Sequence, residues 1–175
     1  MQQRIHIIGG AGSGKTTLAQ KLSSRLDIPY YEMDVIGWEG GFGAERSLET
    51  RVRDIHQIAM QAHWITEGSF IGWTDELFQR ADVIVWLDLS WSVARWRIIT
   101  RHIKADLTGT NRHRGFIKLV RFVQGSRGYY CDQQELDGTH NRLIDGRYIQ
   151  PFKHKLAHCR QPADVAALLR RLTGR

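Results

Sequence analysis

The sequence predicts an α/β fold, in which a parallel sheet is covered by helices, and two observations support this prediction. Short apolar or β-branched segments alternate along the chain with stretches of helical periodicity, which is typical of parallel β-α units. The segment 81–88 is almost continuously apolar, as a central parallel strand buried on both faces should be. We therefore expect residues 1–175 to form one domain of this class.

The individual elements follow from periodicity and from end signals. Strands are predicted at 4–8, 28–33, 64–67, 81–88 and 155–159. Helices are predicted after residue 14, from an N-cap at Ser47, over 92–103, from Phe116, and from Pro162 through Leu172. Segment 126–150 fits no single pattern. Residues 35–63 are expected to form a helical flap, and residues 104–115 a short polar lid.

Composition excludes some classes of protein and raises a question about charge. No apolar run reaches the roughly 18 residues that a membrane span needs, and the N-terminus lacks the layout of a signal peptide. Two isolated cysteines, Cys131 and Cys159, are too few for a disulfide framework or a zinc site and predict reduced thiols in a cytoplasmic protein. Segment 95–127 holds nine Lys and Arg residues against one acid, Asp106. Such a block suits either a polyphosphate ligand or nucleic acid.

The most specific motif lies at 9–16 and reads Gly-Gly-Ala-Gly-Ser-Gly-Lys-Thr, between a predicted strand and a predicted helix. This is the G-x-x-x-x-G-K-T pattern of the phosphate-binding P-loop. Its backbone amides and the helix N-terminus suit a triphosphate, Lys15 is expected to reach the β- and γ-phosphates of ATP, and Thr16 to hold Mg²⁺. The nucleotide-binding residues predicted here are Gly10, Ala11, Gly12, Ser13, Gly14, Lys15, Thr16 and Thr17.

Three carboxylates end predicted strands, where the ligand crevice of an open α/β sheet lies. Asp88 is predicted to hold Mg²⁺ through water, with capping of the next helix as the alternative. Asp34 is predicted to orient an acceptor hydroxyl and to take its proton. Glu67 and Gly68, at the end of the third strand, occupy the neighbouring position on the acceptor side. For both Asp34 and Glu67 the alternative is a capped loop.

Two tryptophans, Trp38 and Trp73, follow these carboxylates in irregular segments. Aromatic side chains on such loops suit the wall of an acceptor pocket. They suit equally well the packing of the flap against the core, and the sequence leaves both interpretations open.

Arginines on the basic segment suit the charge that phosphoryl transfer needs to neutralise. Arg97 and Arg101 are one helical turn apart, and Arg112 and Arg114 lie on the predicted lid. We expect Arg97, Arg101 and a lid arginine to close over the phosphates; the alternative is a solvated basic face. Arg160, in the turn before the last helix, is predicted near the nucleotide base.

Several segments together resemble the adenylate kinase-like P-loop kinases, and among them the topology-modulation, or FlaR-related, subgroup. The matching segments are residues 10–19, Ile28-Pro29 leading to Met33-Asp34 and Trp38, Trp64-Ile65 with Glu67-Gly68, and 81–88 followed by Arg95-Trp96-Arg97. The resemblance implies a three-layer P-loop NTPase fold with a five-stranded parallel sheet of order 2-3-1-4-5. It also implies use of ATP and Mg²⁺ under a closing lid.

The chain departs from this pattern at the acceptor side. Adenylate kinases place an arginine just after the third strand, where it holds the phosphate of the acceptor. Residues 68–73 of this chain, which match that stretch, contain no arginine. This predicts an acceptor without a phosphate at that position, unless Arg46 or Arg51 on the flap supplies the charge. Asp34 instead resembles the aspartate of small-molecule hydroxyl kinases, including those for nucleosides and shikimate.

The sequence therefore predicts an ATP- and Mg²⁺-dependent kinase for a small hydroxyl-bearing or nucleotide-like acceptor. One alternative is an ATP-binding regulatory protein that contacts nucleic acid through the basic segment. Another is a nucleotidase that releases phosphate without an acceptor. The sequence does not predict an oligomeric state.

Overall fold

A computed structural model describes residues 3–41, 43–108, 115–131 and 141–174. Its strands are β1 (Gln3–Ile8), β2 (Tyr30–Glu32), β3 (His63–Glu67), β4 (Val83–Leu87) and β5 (Leu156–Cys159). Its helices are α1 (Lys15–Leu26), α2 (Met33–Gly37), α3 (Leu48–Ala59), α4 (Asp75–Arg80), α5 (Trp91–Leu107), α6 (Phe116–Cys131), α7 (Arg142–Tyr148) and α8 (Pro162–Thr173). Short 3₁₀ turns lie at Glu39–Gly41 and Gln150–Lys155.

The five strands form one parallel sheet in the order β2-β3-β1-β4-β5. The predicted fold class and strand order are therefore confirmed. In this order β1 lies at the centre, with β3 and β2 on one side of it and β4 and β5 on the other. The loop that leaves β1 therefore opens at the crevice between the two halves of the sheet.

Both faces of the sheet are buried, because alternate residues of each strand enter different cores. On β1, Ile5 and Ile7 pack with Leu18 and Leu22 of α1. Ile8 enters the opposite core, where it packs among the aromatic side chains of Trp64, Phe78 and Trp86. The arrangement explains why β4, which pairs with strands on both sides, is apolar throughout instead of alternating with polar residues.

Several elements differ in extent from their predictions. β2 ends at Glu32, and Asp34 lies in the first turn of the short helix α2, not at a strand end. Helix α5 continues to Leu107, so the first residues of the predicted lid are helical. The N-cap at Ser47 is confirmed, because its side chain accepts a hydrogen bond from the amide of Thr50.

Within the described ranges, no helix has both the length and the apolar composition that crossing a membrane requires. Cys131 is exposed, Cys159 is buried, and neither forms a disulfide.

A buried histidine on β1 couples the stability of the fold to pH. His6 is fully buried, its Nδ1 lies 2.8 Å from the hydroxyl of Thr66, and its ring meets Phe78 edge-on. Burial lowers the pKa of His6 to about 3. The folded protein therefore holds this ring neutral, whereas the unfolded chain protonates it near pH 6.5.

We expect the free energy of unfolding to fall as the pH drops below about 6.5. Between pH 6.5 and pH 3 the unfolded state binds the extra proton, so stability is present above this range and is lost within it. At pH 5 the loss from His6 should reach about 2 kcal/mol, because one pH unit corresponds to about 1.4 kcal/mol. Urea unfolding at pH 7 and pH 5 measures it. The difference should shrink in His6→Gln but not in His63→Gln, whose side chain is exposed; equal differences in all three proteins would refute the assignment.

Candidate active site

The P-loop folds as its glycines allow. Gly12 and Gly14 have φ angles of 77° and 97°, in the left-handed region that side chains other than glycine rarely adopt. Gly10 is needed for another reason: a Cβ there would lie 2.3 Å from Cδ1 of Tyr129 on α6. The loop is thus held tightly between the sheet and α6, with α1 beginning at Lys15.

Lys15 lies within the curve of this loop. Its Nζ donates hydrogen bonds to the carbonyl oxygens of Gly9 at 2.7 Å and Gly10 at 3.2 Å. Burial lowers the pKa of Lys15, and the nearby carboxylates of Glu67 and Asp34 act in the opposite direction. The side chain is therefore a buried cation whose neighbours on one side are acidic.

The P-loop forms the floor of a cleft of about 950 Å³. The cleft brings together most of the residues that the sequence predicted for the site: Gly10, Ala11, Gly12, Ser13, Gly14, Lys15, Thr16, Thr17, Asp34, Glu67, Gly68, Arg97 and Arg101. Side chains from other elements complete the walls: Phe70, Phe122, Tyr129 and Pro162. The cleft therefore opens where parallel strands end, as expected for a ligand site in this class of sheet.

The hydroxyl of Thr16 is bound to Glu67. Its Oγ1 donates to Oε1 of Glu67 at 2.6 Å, and Glu67 is buried at the end of β3. Burial raises the pKa of Glu67, and the hydrogen bond from Thr16 and the charge of Lys15 oppose this shift. Partial burial of its carboxyl also raises the pKa of Asp34, with Lys15 opposing. Both carboxylates thus stand near Lys15, and Glu67 also binds Thr16.

Two arginines of α5 face the loop from the other side. Nη1 of Arg97 donates to the carbonyl oxygen of Ser13 at 2.6 Å. Arg101, one turn later, borders the cleft and is close enough to lower the pKa of Lys15 by charge repulsion. The predicted lid arginines Arg112 and Arg114 lie outside the described residues.

The other basic residues of segment 95–127 that the structure describes are exposed: Arg95, Lys104, Lys118, Arg121 and Arg127. Lys104 also borders the cleft. Contact with nucleic acid through this surface stays a prediction.

Asp88 borders a second cavity and not the P-loop cleft. It is buried after β4, but its carboxylate pairs with Arg142 at 2.6 Å and accepts a hydrogen bond from His158 at 2.8 Å. His158 in turn stacks on Trp86, with ring centroids 4.3 Å apart. These residues and Arg160 border a second, smaller cavity, and neither Asp88 nor Arg160 borders the P-loop cleft. Asp88 and Arg160 therefore face the second cavity, and their roles in magnesium and nucleotide binding stay predictions.

Trp38 of the flap and Trp73, which follows β3, do not border the cleft. The rings of Trp38 and Phe70 are 5.2 Å apart, and those of Phe70 and Trp73 are 5.3 Å apart. Of the three, Phe70 borders the cleft itself. Trp38 and Trp73 therefore pack the flap against Phe70, which corresponds to the packing alternative of the sequence analysis.

Sequence reasoning missed three residues that shape the loop. Ser69 accepts from the amide of Gly9 at 2.7 Å, and its hydroxyl donates to the carbonyl oxygen of Gly9 at 3.2 Å. The hydroxyl of Tyr130 donates to the carbonyl oxygen of Ala11 at 2.7 Å, while Tyr129 donates to Asp145 on α7. The two tyrosines stand in segment 126–150, whose sequence pattern carries no signal of this packing. For Ser69, the available signal in the sequence was its position as a polar residue directly after Gly68.

The donor set around Thr16 fits Mg²⁺. A hydroxyl and a carboxylate are hard oxygen ligands, and Mg²⁺ completes its shell with phosphate oxygens and water. In the described ranges, no three His, Cys, Asp or Glu side chains form a cluster that would hold an ion alone. Thr16 with Glu67 would therefore bind the ion together with a bound triphosphate.

Sequence comparison finds one similar protein and no matching family. No family model matches the chain. A Bacillus subtilis (strain 168) protein, YqaC, described as uncharacterized, is 29% identical over 118 residues, which span 65% of this chain and 66% of YqaC, just under two thirds of its length.

Solved structures resemble the chain over its whole length. A shikimate kinase from Acinetobacter baumannii, in complex with shikimate, gives a TM-score of 0.51 at 15% identity and covers 97% of this chain and 92% of that chain. An uncharacterized protein from Eubacterium ventriosum gives 0.50 at 13% identity and covers 100% of both. The chain has the fold of the P-loop kinases. The resemblance to the topology-modulation subgroup stays a prediction.

Proposed function

We propose that this protein is an ATP- and Mg²⁺-dependent kinase that transfers the γ-phosphoryl group to a hydroxyl of a small molecule. One observation carries the proposal: the P-loop lysine, Lys15, lies in a single cleft between the carboxylates Asp34 and Glu67 and the arginines Arg97 and Arg101. Donors for a triphosphate and acceptors for a hydroxyl proton thus face each other across the floor of one site.

The triphosphate would lie along the amides of residues 10–16, at the N-terminus of α1. Lys15 would exchange its bonds to the carbonyls of Gly9 and Gly10 for bonds to the β- and γ-phosphate oxygens. Arg97 and Arg101 would neutralise charge on the migrating phosphoryl group, which is the largest requirement of such a reaction. Arg112 and Arg114 remain proposed as lid residues for the same role.

When bound, Mg²⁺ neutralises charge on the β- and γ-phosphates. Thr16 would hold it, as the sequence predicts. We assign the nearby carboxylate to Glu67 instead of Asp88, because Glu67 is the residue hydrogen-bonded to Thr16. Asp88 is already bound by Arg142 and His158.

Asp34 is assigned as the proton acceptor. Burial raises its pKa above the ordinary aspartate value, and a higher pKa makes a carboxylate a stronger base. In the reaction the bond from the γ-phosphorus to the β,γ-bridging oxygen breaks, and ADP leaves with that electron pair. A bond forms from the acceptor oxygen to the γ-phosphorus, and the hydroxyl proton passes to Asp34.

A screen of acceptors tests the proposal. ADP release by the purified protein is measured with nucleosides, nucleoside monophosphates, sugars and other small alcohols at saturating MgATP. At least one class should raise ADP release well above the rate without acceptor. If ATP binds but no acceptor raises the rate, the kinase assignment fails, and a steady release of phosphate without acceptor would favour the nucleotidase alternative.

The two candidate magnesium carboxylates can be separated by mutation. Glu67→Gln should raise the Mg²⁺ concentration needed for half-maximal activity by about tenfold or more, since it removes a charged oxygen beside Thr16. Asp88→Asn should leave that concentration unchanged. It should instead lower the free energy of unfolding by about 1.5–3 kcal/mol, as expected for loss of hydrogen bonds between charged groups. Mg²⁺ titrations and urea unfolding of both variants measure this, and the reverse pattern would restore Asp88 as the metal residue.

A further inference from the structure

We propose that the acceptor carries no negative charge near the hydroxyl that receives the phosphoryl group, which makes it an uncharged polyhydroxy compound such as a sugar or nucleoside. The inference rests on the proposed kinase function and concerns the acceptor side of the same cleft.

Charge is distributed asymmetrically around this cleft. Among the described residues, the cations that border it come from α1 and α5: Lys15, Lys21, Arg97, Arg101 and Lys104. The opposite wall contributes Asp34 of α2 and Glu67 of β3. A nucleotide triphosphate fits the first side, so the second side is left for the acceptor.

A third carboxylate adds to the negative charge of the acceptor side. Glu32 on β2 stands in register with Glu67 on β3, and it raises the pKa of Glu67 by charge repulsion, as does Asp34. Glu32 does not itself border the cleft, so it acts on the acceptor side through its charge.

The two flap arginines that could have offset this charge are engaged elsewhere. Arg46 donates to the carbonyl oxygen of Ile36 at 2.9 Å and to Asp54 at 2.8 Å. Arg51 pairs with Glu45 at 2.8 Å, and its guanidinium lies 5.3 Å from the centre of the Trp73 ring. Neither borders the cleft. Both therefore hold the flap together and do not receive an anionic acceptor.

Like charges that are brought together in a partly dry site strongly disfavour binding. With Glu67 assigned to Mg²⁺, a phosphate or carboxylate on the acceptor would still meet Asp34 and the field of Glu32, whereas hydroxyl groups would find acceptors for their hydrogen bonds. The ring of Phe70 offers the wall an apolar surface against which a sugar or a base can pack.

Two esters of ATP test this without knowledge of the natural acceptor. The γ-(2-hydroxyethyl) ester places a neutral hydroxyl beyond the γ-phosphate, and the γ-(carboxymethyl) ester places a carboxylate there. Their dissociation constants are measured by calorimetry with Mg²⁺ at low ionic strength, where screening is weak. For the wild-type protein, the hydroxyethyl ester should bind at least about tenfold more tightly, as one unfavourable charge contact predicts.

Matched variants locate the effect. Glu32→Gln removes one charge without touching the reacting groups, and the preference should fall by about threefold or more. Glu49→Gln, an exposed carboxylate on α3, should leave it unchanged. Equal or tighter binding of the carboxymethyl ester to the wild-type protein would overturn the inference alone. Failure of ATP and both esters to bind would overturn the proposed function together with it.

Discussion

Replacing Asp34 with asparagine should lower kcat by about 10²–10⁴-fold, the range typical for loss of a general base. The carboxylate that receives the acceptor proton is gone, but the amide keeps its size and can still hydrogen-bond the acceptor hydroxyl. ATP should bind with nearly the same affinity, because the triphosphate is held by the loop at 10–16 and by Lys15. Steady-state rates and ATP calorimetry on the same preparation measure both quantities.

A matched control for this variant is Asp27→Asn. Asp27 is exposed after the end of α1 and has a φ of 56°, a conformation that asparagine tolerates. Its kcat should equal that of the wild type. If Asp34→Asn kept wild-type turnover, the base would have to be another group, and Glu67 would be the next residue to test.

Replacing Lys15 with methionine should lower kcat/KM by about 10²–10³-fold, as loss of one preorganised donor to a developing charge does. Unlike the aspartate variant, this change should weaken ATP binding as well, because Lys15 is the cation closest to the triphosphate position on the loop. The two variants should therefore differ: Asp34→Asn should lose mainly turnover, whereas Lys15→Met should lose both turnover and ATP affinity.

Lys118→Met serves as the control for Lys15, since Lys118 is exposed on α6 and changes net charge equally. Its activity should match the wild type. Unchanged ATP affinity in Lys15→Met would remove this lysine, and with it the loop, from the nucleotide site.

Most of the fold could be predicted because its signals are local. An apolar run marks β4, and the glycine loop, Lys15 and the first turn of α1 occupy one continuous segment of sequence. Loop residues adjacent in sequence must be adjacent in space, so this half of the site followed from the motif alone. The pattern failed where a short element intervened, as where helix α2 replaces the end of the second strand at Asp34.

The rest of the site depends on partners that are distant in sequence. Asp88 ends a buried strand as a metal ligand would, but Arg142 lies 54 positions later and binds it first. Glu67 reaches Thr16 across 51 positions, and Tyr130 reaches Ala11 across 119. Strand-end carboxylates look alike in sequence, and which of them faces the P-loop is decided by side-chain pairing that periodicity does not encode.

Transfer of label from ATP to an acceptor shows whether this protein is a kinase. Wild-type protein and Lys15→Met are incubated with [γ-³²P]ATP, Mg²⁺ and a deproteinised extract of small molecules, separated into charged and uncharged fractions. The account predicts that the wild type moves label into an organic phosphate ester formed from the uncharged fraction and that Lys15→Met does not. Label found entirely as ATP, or entirely as inorganic phosphate, would contradict it.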